Sequence, residues 1–272
     1  MLPITRYAIK SLQLRKWIKF IWYLETEADV TVKHKLLTTD SIDIILNLSD
    51  KIEYQIGSDI YKTSDFHFNA LRDRYGYINQ KGKLKVFGIS FYPFGLYPFL
   101  QIPISEFNNQ VIDLKVTAKE LTKKLEASIN TLSPVYDTVL SLEKSLESML
   151  DNSLGEVKMF NLIQIFALES KYCSIKSFCH DNNLNAKTLE RACLKYTGYT
   201  PKALQRIGRF QTASNKLICK KAEDTIASVA YENDYFDQAH FTREFQEFTG
   251  VTPSKFLKEH ITIKENTKYI YR

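Results

Sequence analysis

Two short stretches of this 272-residue chain carry side chains that suit contact with the edges of base pairs. Arginine pairs with guanine through two hydrogen bonds, glutamine pairs with adenine in the same way, and glutamate accepts a hydrogen bond from cytosine. The first stretch offers Lys187, Thr188, Glu190, Arg191 and Lys195, and the second offers Gln238, Ala239, His240 and Arg243. We predict that these residues bind DNA, through bases or, for Lys195, through a phosphate.

A helix with a marked start and end positions the first set. Asn185 is a favourable N-cap, because its side-chain oxygen accepts a hydrogen bond from a free backbone N–H of the first turn. Gly198 stands where a left-handed residue ends a helix. Leu189, Cys193 and Tyr196 recur at helical spacing and form an apolar face. Taken alone, this stretch is equally typical of an amphipathic helix on a protein surface.

The same pattern occurs a second time, 52 residues further along the chain. Thr197-Gly198-Tyr199-Thr200-Pro201 recurs as Thr249-Gly250-Val251-Thr252-Pro253, and at the same offset Arg191 matches Arg243 and Asn185 matches Asp237. Two such helices in tandem suit two successive major grooves, about 34 Å apart on one face of DNA. The alternative is a duplicated helical hairpin without a nucleic-acid role.

The two copies of this helical pattern are called the first and the second unit. Together they resemble the DNA-binding domain of the AraC/XylS-type bacterial transcriptional regulators. In the first unit, the family's Leu-x-Arg motif corresponds to Leu189-Glu190-Arg191 and its Gly-x-Thr-Pro motif to Gly198-Tyr199-Thr200-Pro201. In the second unit, Ile-Ala corresponds to Ile226-Ala227, Gly-Phe to Asp234-Tyr235, and the aromatic–Phe pair to His240-Phe241. Arg-x-Phe corresponds to Arg243-Glu244-Phe245, and the second Gly-x-Thr-Pro to Gly250-Val251-Thr252-Pro253. Three positions depart from the family pattern. Asp234 replaces a turn glycine and must adopt a left-handed conformation, while Cys193 replaces a phenylalanine and Leu257 an arginine.

The resemblance implies a sequence-specific transcription regulator in the cytoplasm, with double-stranded DNA as its partner. It also implies an N-terminal domain that senses a small-molecule effector, forms a homodimer, or does both. An activator of this type would in addition contact RNA polymerase. In each unit a shorter helix, the positioning helix, is expected to precede the helix that contacts DNA. We expect Ser174 to cap the first positioning helix, and Asp224 or Thr225 to cap the second.

Charge is distributed unevenly between the two units. Residues 187–221 contain nine Lys or Arg and one acid, a net charge of +8, whereas residues 222–250 contain one Arg and seven acids, a net charge of −6. The first unit and the helix after it therefore carry the attraction to phosphates. The phosphate candidates are Lys195, Lys202, Arg206, Lys216, Lys220 and Lys221.

Composition and length narrow the class of protein. The chain is 44% hydrophobic and 25% charged, with a net charge of +6, and it is long enough for two domains with separate cores. It contains neither an apolar run of membrane-spanning length nor a signal-peptide core, so we expect no membrane partner. Its four cysteines lack zinc or redox spacing, which favours free thiols, with Cys193 buried.

The first part of the chain predicts a β-rich domain. Ser41 to Leu48 is typical of a strand, and Gly57-Ser58-Asp59 and Asn79-Gln80-Lys81-Gly82 predict two hairpin turns. Gly88-Ile89-Ser90-Phe91-Tyr92-Pro93-Phe94-Gly95 resembles a segment of sensor domains in one branch of the same family. The aromatic residues that are either core or pocket lining are Trp17, Trp22, Tyr23, Tyr54, Phe66, Phe68, Tyr75, Tyr77, Phe91 and Phe94.

Neither a metal nor another cofactor is expected in this domain. His34 and His67 are its only histidines, and they do not form the cluster that a metal site needs. An enzyme with a catalytic cysteine is also disfavoured, because no cysteine precedes Cys173. We predict no enzymatic activity.

Two helices are expected to follow the strands. Thr117-Ala118-Lys119-Glu120 predicts a capping box, and Ser133-Pro134 predicts the start of a second helix. This second helix carries an apolar stripe of Val135, Val139, Leu142, Leu146 and Met149, which either packs on the β domain or forms a dimer seam.

The prediction as a whole is an α+β protein of two domains. Residues 1–116 form a β-rich barrel or sandwich, residues 117–150 are accessory helices for dimerisation or linking, residues 151–155 are a linker, and residues 156–260 are an all-α tandem helix-turn-helix domain. A protein-interaction regulator with weakened DNA binding is the alternative function, supported only by the acidic second unit.

Overall fold

Strands from the first half of the chain, together with one strand near residue 270, form two sheets. The structure, a computed structural model, describes residues 2–63, 65–150, 158–169, 173–219, 225–258 and 267–271. The strands are β1 Leu2–Tyr7, β2 Ile18–Glu25, β3 Val30–Leu36, β4 Ile42–Asn47, β5 Glu53–Ile56, β6 Asp59–Lys62, β7 Phe66–Asn69, β8 Gly76–Gly82, β9 Lys85–Phe91, β10 Val111–Asp113 and β11 Thr267–Tyr271. One sheet has the order β10-β7-β4-β9-β2-β1-β11 and the other β3-β8-β5-β6. Neighbouring strands are antiparallel except β1 and β11, which are parallel.

The two sheets form a sandwich and do not close into a barrel. Among the described strands, β10 and β11 are the edges of the larger sheet, and β3 and β6 are the edges of the smaller one. Ile45 and Val86 of the larger sheet share a buried cluster with Tyr54 and Ile56 of the smaller sheet. Ile44, on the opposite face of β4, belongs to the main core. Because both faces of β4 are covered, its apolar residues run nearly without interruption.

One predicted hairpin is confirmed and the other is wrong. β5 and β6 pair around Gly57, whose φ of 61° lies in the left-handed region that favours glycine. β8 and β9 are also consecutive in the chain, but β8 pairs with β3 and β5, whereas β9 pairs with β2 and β4. The glycine-containing turn at Gly82 therefore carries the chain from one sheet to the other.

Four helices follow or interrupt the strands: α1 Tyr97–Leu100, α2 Leu114–Thr117, α3 Lys119–Ser128 and α4 Val135–Glu147. The capping box predicted at Thr117 is wrong. Thr117 is the last residue of α2, and α3 begins after Ala118, which makes no side-chain capping bond. Ser133 likewise supplies no cap, since Pro134 occupies the N-cap position of α4.

The apolar stripe on α4 packs within the chain. Val139, Leu142 and Leu146 are buried in the main core. On the same helix, the Glu143 carboxylate accepts hydrogen bonds from the backbone N–H groups of Lys10 and Ser11. The buried part of the stripe is therefore covered within the chain.

Most of the aromatic residues considered as pocket lining belong to the core. Buried members are Trp17, Tyr23, Tyr54, Phe66, Phe68, Phe91 and Phe94. Partly exposed members are Trp22, Tyr75 and Tyr77. The interior of the sandwich is thus filled with side chains.

The second half of the described chain is helical. Its helices are α5 Lys158–Glu169, α6 Ile175–Asp181, α7 Ala186–Thr197, α8 Pro201–Cys219, α9 Ile226–Glu232 and α10 Gln238–Thr249. The core face of α8 carries four buried residues, Leu204, Ile207, Phe210 and Leu217. No helix in the described part of the chain is both long and apolar enough to cross a bilayer.

An aromatic cluster joins the β-rich half to the helical half. Trp17 stacks on Phe160 of α5 with ring centres 5.6 Å apart, and Phe160 in turn meets Tyr196 of α7 at 4.8 Å. Tyr97 of α1 packs edge-on against Tyr196, also at 4.8 Å. The two halves share one continuous core. The predicted linker at residues 151–155 lies outside the described residues.

Candidate nucleic-acid interface

The helices α7 and α10 begin in the same way. The Asn185 side chain accepts a hydrogen bond from the Thr188 backbone N–H at 2.8 Å. The Asp237 side chain accepts the equivalent bond from the His240 N–H at 2.6 Å. Both N-caps predicted from the sequence are therefore confirmed, and each satisfies a backbone donor that the helix itself leaves free.

The two helices also end in the same way. Gly198 and Gly250 have φ values of 81° and 72°, so both helices terminate at a left-handed glycine. The preceding Thr197 and Thr249 each donate a side-chain hydrogen bond of 2.7 Å to the carbonyl four residues earlier. The sequence repeat thus corresponds to a repeat of hydrogen bonds.

α7 and α10, the two candidate recognition helices, are each preceded by a short helix and a tight turn. α6 and α9 are capped by Ser174 and Thr225, each accepting a bond of 3.0 Å from the backbone N–H three residues on. Asn183 and Asp234 adopt left-handed conformations in the two turns, with φ of 51° and 56°. The expectation that Asp234 takes over from a turn glycine is confirmed. α6–α7 and α9–α10 are therefore two helix-turn-helix units.

The residues predicted to contact bases lie on the outer faces of these helices. On α7, Lys187, Glu190, Arg191 and Lys195 are exposed and Thr188 is half-buried. On α10, Gln238, Ala239 and Arg243 are exposed and His240 is half-buried. The opposite faces hold the units together, since Leu189 and Phe241 are fully buried at equivalent positions.

Arg191 and Arg243 occupy equivalent exposed positions. Neither guanidinium forms an ion pair with any residue that the structure describes. A structural salt bridge within the domain therefore has no support among these residues. Both side chains are available for a ligand.

Lys195 lies at the other end of α7, against the β-rich half. Its Nζ is 5.7 Å from the ring centre of Tyr97 and 5.2 Å from that of Tyr196. A hydrogen bond to Tyr97 raises the pKa of Lys195 above its usual value. Lys195 is therefore separated from the residues predicted to contact bases at the start of the helix, and it already has an aromatic partner.

Two of the phosphate candidates are engaged in ion pairs. Arg206 binds Glu244 at 2.8 Å and Glu247 at 2.6 Å, and Lys216 binds Glu232 at 2.5 Å. Lys220 and Lys221 lie outside the described residues. Lys202 is exposed and borders an open cleft between α8 and α10. Of the candidates on α8 itself, Lys202 is the one best placed to meet a phosphate.

A buried carboxylate ties α10 to α8, and we did not anticipate it from the sequence. Glu244 is only 4% exposed. It accepts a hydrogen bond from the Tyr235 hydroxyl at 2.9 Å, and Arg209 lies 3.4 Å away as a second cation beside Arg206. Burial and the Glu244 charge raise the pKa of Tyr235, which keeps its hydroxyl protonated. The available signal was a glutamate on the apolar side of a helix, four residues before Phe248.

The β-rich half contacts the C-terminal ends of both recognition helices. The Asn108 side-chain amide donates a hydrogen bond to the Gly198 carbonyl. At the second unit, a Cβ on Gly250 would lie only 2.6 Å from the Tyr75 ring, so this ring packs directly on the backbone. Thr38 bridges the halves, since its carbonyl accepts a hydrogen bond from Gln211 of α8 and its hydroxyl lies 3.5 Å from the Phe248 carbonyl.

A cavity of about 220 Å³ lies at this junction. The β-rich half contributes Asp40 and Tyr92, and α8 contributes Leu204, Gly208 and Gln211 to its lining. Asp40 is paired with Lys19 at 2.7 Å, so its charge is compensated. The cavity thus combines apolar walls with hydroxyl and amide groups.

Residues suited to a metal ion are not brought together. The described residues contain no cluster of three or more His, Cys, Asp or Glu side chains. His67 is buried beside Tyr54, 3.0 Å from its hydroxyl. Cys193 is fully buried, as expected, and burial raises the pKa of its thiol to about 12.

Two family profiles match separate parts of the chain. Residues 178–259 match a helix-turn-helix domain. Residues 10–113 match a domain of unknown function, DUF6597. No curated protein matches the chain.

Several solved structures resemble the fold at low sequence identity. ToxT from Vibrio cholerae is 12% identical, with a TM-score of 0.45 over 85% of this chain and 98% of that one. The AraC-like transcriptional activator CuxR is 14% identical, with a TM-score of 0.32 over 73% and 77% of the two chains. A probable AraC family transcriptional regulator from Rhodopseudomonas palustris is 20% identical, with a TM-score of 0.32 over 36% and 92%.

Proposed function

We propose that this chain is a DNA-binding transcription regulator of the AraC/XylS type and that it inserts α7 and α10 into two successive major grooves of its operator. Regulators of this type catalyse no reaction. The observation that carries the proposal is the equivalence of Arg191 and Arg243. Both lie exposed on capped helices that share the same N-cap and C-cap hydrogen bonds.

The two units contribute differently. The first unit and α8 lie in the segment of net charge +8, so they supply the attraction to phosphates. The second unit lies in the segment of net charge −6 and must depend on a few base contacts. On α10 we assign these contacts to Gln238, Ala239, His240 and Arg243, and on α7 to Lys187, Thr188, Glu190 and Arg191.

A footprint tests this arrangement. Hydroxyl-radical footprinting on selected genomic fragments should show two protected segments on one face of the duplex, one helical turn apart, about 34 Å. Arg191→Ala should weaken the first segment and Arg243→Ala the second. A single protected segment would contradict the two-groove arrangement, and binding without sequence preference would favour a regulator that acts mainly through protein partners.

The β-rich half is proposed to sense a small molecule. Its interior is packed with aromatic side chains, whereas the junction with α8 contains a cavity. At about 220 Å³ this cavity is below the size range of drug-sized ligand sites, roughly 300–1,000 Å³. A small uncharged molecule with an apolar face and a few hydrogen-bonding groups would fit its lining.

The way in which such a ligand would act follows from the contacts around the cavity. Gln211, which lines it, also donates a hydrogen bond to the Thr38 carbonyl across the junction. Ligand binding there would bias the packing of the β-rich half on α8. Homodimer formation and contact with RNA polymerase belong to the same proposal, and sedimentation with and without operator DNA measures the first of them.

A further inference from the structure

Phe236 is the residue by which the two helix-turn-helix units differ in length. Leu184 and Tyr235 hold equivalent places in the two turns, each donating its backbone N–H to a carbonyl five residues earlier, at 2.8 and 3.1 Å. From there the equivalence moves by one residue, because the N-caps are Asn185 and Asp237. The second turn therefore contains one additional residue before its N-cap, and that residue is Phe236.

This additional side chain projects into solvent. Phe236 is 91% exposed, the highest fraction among the large apolar residues of α5 to α10 and their described connections. Its neighbours are held firmly, since Tyr235 is 3% exposed and bonded to Glu244, and Asp237 caps α10. The backbone of Phe236 is thus fixed on both sides while its ring lacks any ring contact with a described residue.

The ring stands at the end of α10 that would enter DNA. In helix-turn-helix proteins the N-terminal residues of the recognition helix contact base edges. Gln238 and Ala239, the first two residues of α10, are exposed beside Phe236. Among base edges in the major groove, the thymine C5-methyl group is the one that apolar side chains such as phenylalanine contact.

The net negative charge of the second unit favours an apolar contact between Phe236 and DNA. With a net charge of −6 over residues 222–250, this unit gains little from phosphates and needs contacts that do not depend on charge. We propose that Phe236 recognises a thymine C5-methyl group in the major groove occupied by α10. The inference rests on the proposed function, because it requires α10 to enter that groove.

Uracil substitution in the operator tests the contact directly. Each thymine in the segment protected by the second unit is replaced in turn by deoxyuridine, which lacks the methyl group but pairs identically. For the parent protein we expect affinity to fall about fourfold at one position, the effect of leaving one methyl-sized group unburied. Phe236→Ala should bind the thymine operator correspondingly less well and should not distinguish thymine from uracil at that position. Phe236→Leu should retain part of the discrimination.

Tyr231→Ala is the matched control. Tyr231 is 83% exposed, belongs to the same unit, and lies near the end of α9. We expect this variant to keep the parent's affinity and its response to uracil. Circular dichroism of both variants should be unchanged, since each removes a side chain that is mostly in solvent.

The outcomes separate this inference from the proposed function. If the parent protein protects no specific segment at all, the proposed function fails. If it protects two segments but no uracil substitution under α10 changes affinity, or if Phe236→Ala responds to uracil as the parent does, only the Phe236 contact is overturned. Loss of transcription by Phe236→Ala with unchanged DNA binding would also overturn it and would assign the ring to a protein partner.

Discussion

The Glu244 carboxylate of α10 lies 2.8 Å from Nε of Arg206 on α8. This ion pair connects the second recognition helix to the helix that joins the two units. Tyr235 and Arg209 are bound to the same carboxylate, so this buried side chain holds α10 against α8, together with the packing of Phe210 on Phe245 and Phe248. The residues of the second unit that we propose to contact bases therefore depend on a residue on the opposite, buried face of α10.

Glu244→Gln should destabilise the protein and impair specific binding. The substitution keeps the side-chain volume but leaves Arg209 without this charged partner and Arg206 with Glu247 alone. We expect a loss of about 1–3 kcal/mol in the free energy of unfolding, as for hydrogen bonds to charged groups, measured by urea denaturation. Glu247→Gln is the control. Its side chain is 56% exposed, so its pair with Arg206 should contribute less than about 1 kcal/mol. Equal losses for the two variants would contradict the role of Glu244.

Arg191→Ala should weaken specific DNA binding by about 1–3 kcal/mol and relax the preference at one base pair, as for an arginine that binds guanine through two hydrogen bonds. Binding is measured on the selected operator and on operators changed at single positions. Arg74→Ala removes the same charge from an exposed site in the β-rich half and should leave binding nearly unchanged. Parent-like affinity and preference in Arg191→Ala would remove this residue from the recognition surface.

The salt dependence of binding should differ between the two units. A variant with Gln238, His240 and Arg243 all changed to Ala should keep nearly the parent's salt slope on random DNA but lose its preference for the operator. Lys202→Ala should instead reduce the logarithmic slope by about 0.9, the effect of one phosphate contact. A large loss of random-DNA affinity in the triple variant would mean that the second unit carries the backbone contacts.

Neutralising acids of the second unit should strengthen non-specific binding if they lie within about a Debye length of the DNA. Glu247→Gln should also release one of the contacts that hold Arg206. At the turn, Asp234→Asn is the suitable change, because residue 234 has a φ of 56° and asparagine tolerates that conformation. Binding to random DNA at several salt concentrations measures both effects, and no change in either variant would place these acids away from the duplex.

Gly208→Met should fill the cavity at the junction of α8 with the β-rich half. Gly208 lies on the lining, so a side chain there occupies the space proposed for a small ligand. We expect this variant to fold and bind operator DNA, but to lose any thermal stabilisation that the parent shows in a screen of small metabolites. Lys202→Met on the exposed face of α8 serves as the control for ligand stabilisation only, because Lys202 is itself a phosphate candidate. A ligand that stabilises the parent and Gly208→Met equally would bind elsewhere.

The features predicted correctly from the sequence are those fixed by local interactions. The caps at Asn185 and Asp237, the glycine ends and the left-handed Asp234 each depend on residues within one turn of a helix. The wrong hairpin at Gly82 shows the limit, because a glycine turn indicates a change of direction but not which strand the chain pairs with next. The capping box predicted at Thr117 is wrong for a related reason, because Thr117 ends α2 and α3 begins only after Ala118.

The tertiary contacts of the site could not be predicted from the spacing of hydrophobic residues along the sequence. Glu244 looks like one acid among seven in its segment until α8 brings Arg206 and Arg209 to it. The same holds for Asn108 and Tyr75, which are ordinary loop residues until the β-rich half packs on the ends of α7 and α10. Such contacts join residues far apart in the chain, and their partners carry no shared local pattern.

Because Asn108 contacts the C-terminal end of α7 and Tyr75 that of α10, the β-rich half contacts both helices at once. In the proposed complex, any molecule that shifts this half would change the fit of both helices to the operator together. Thermodynamic reciprocity then requires the converse: the operator must alter the affinity for that molecule by the same factor. The duplex itself would thus act as an effector of the sensing half.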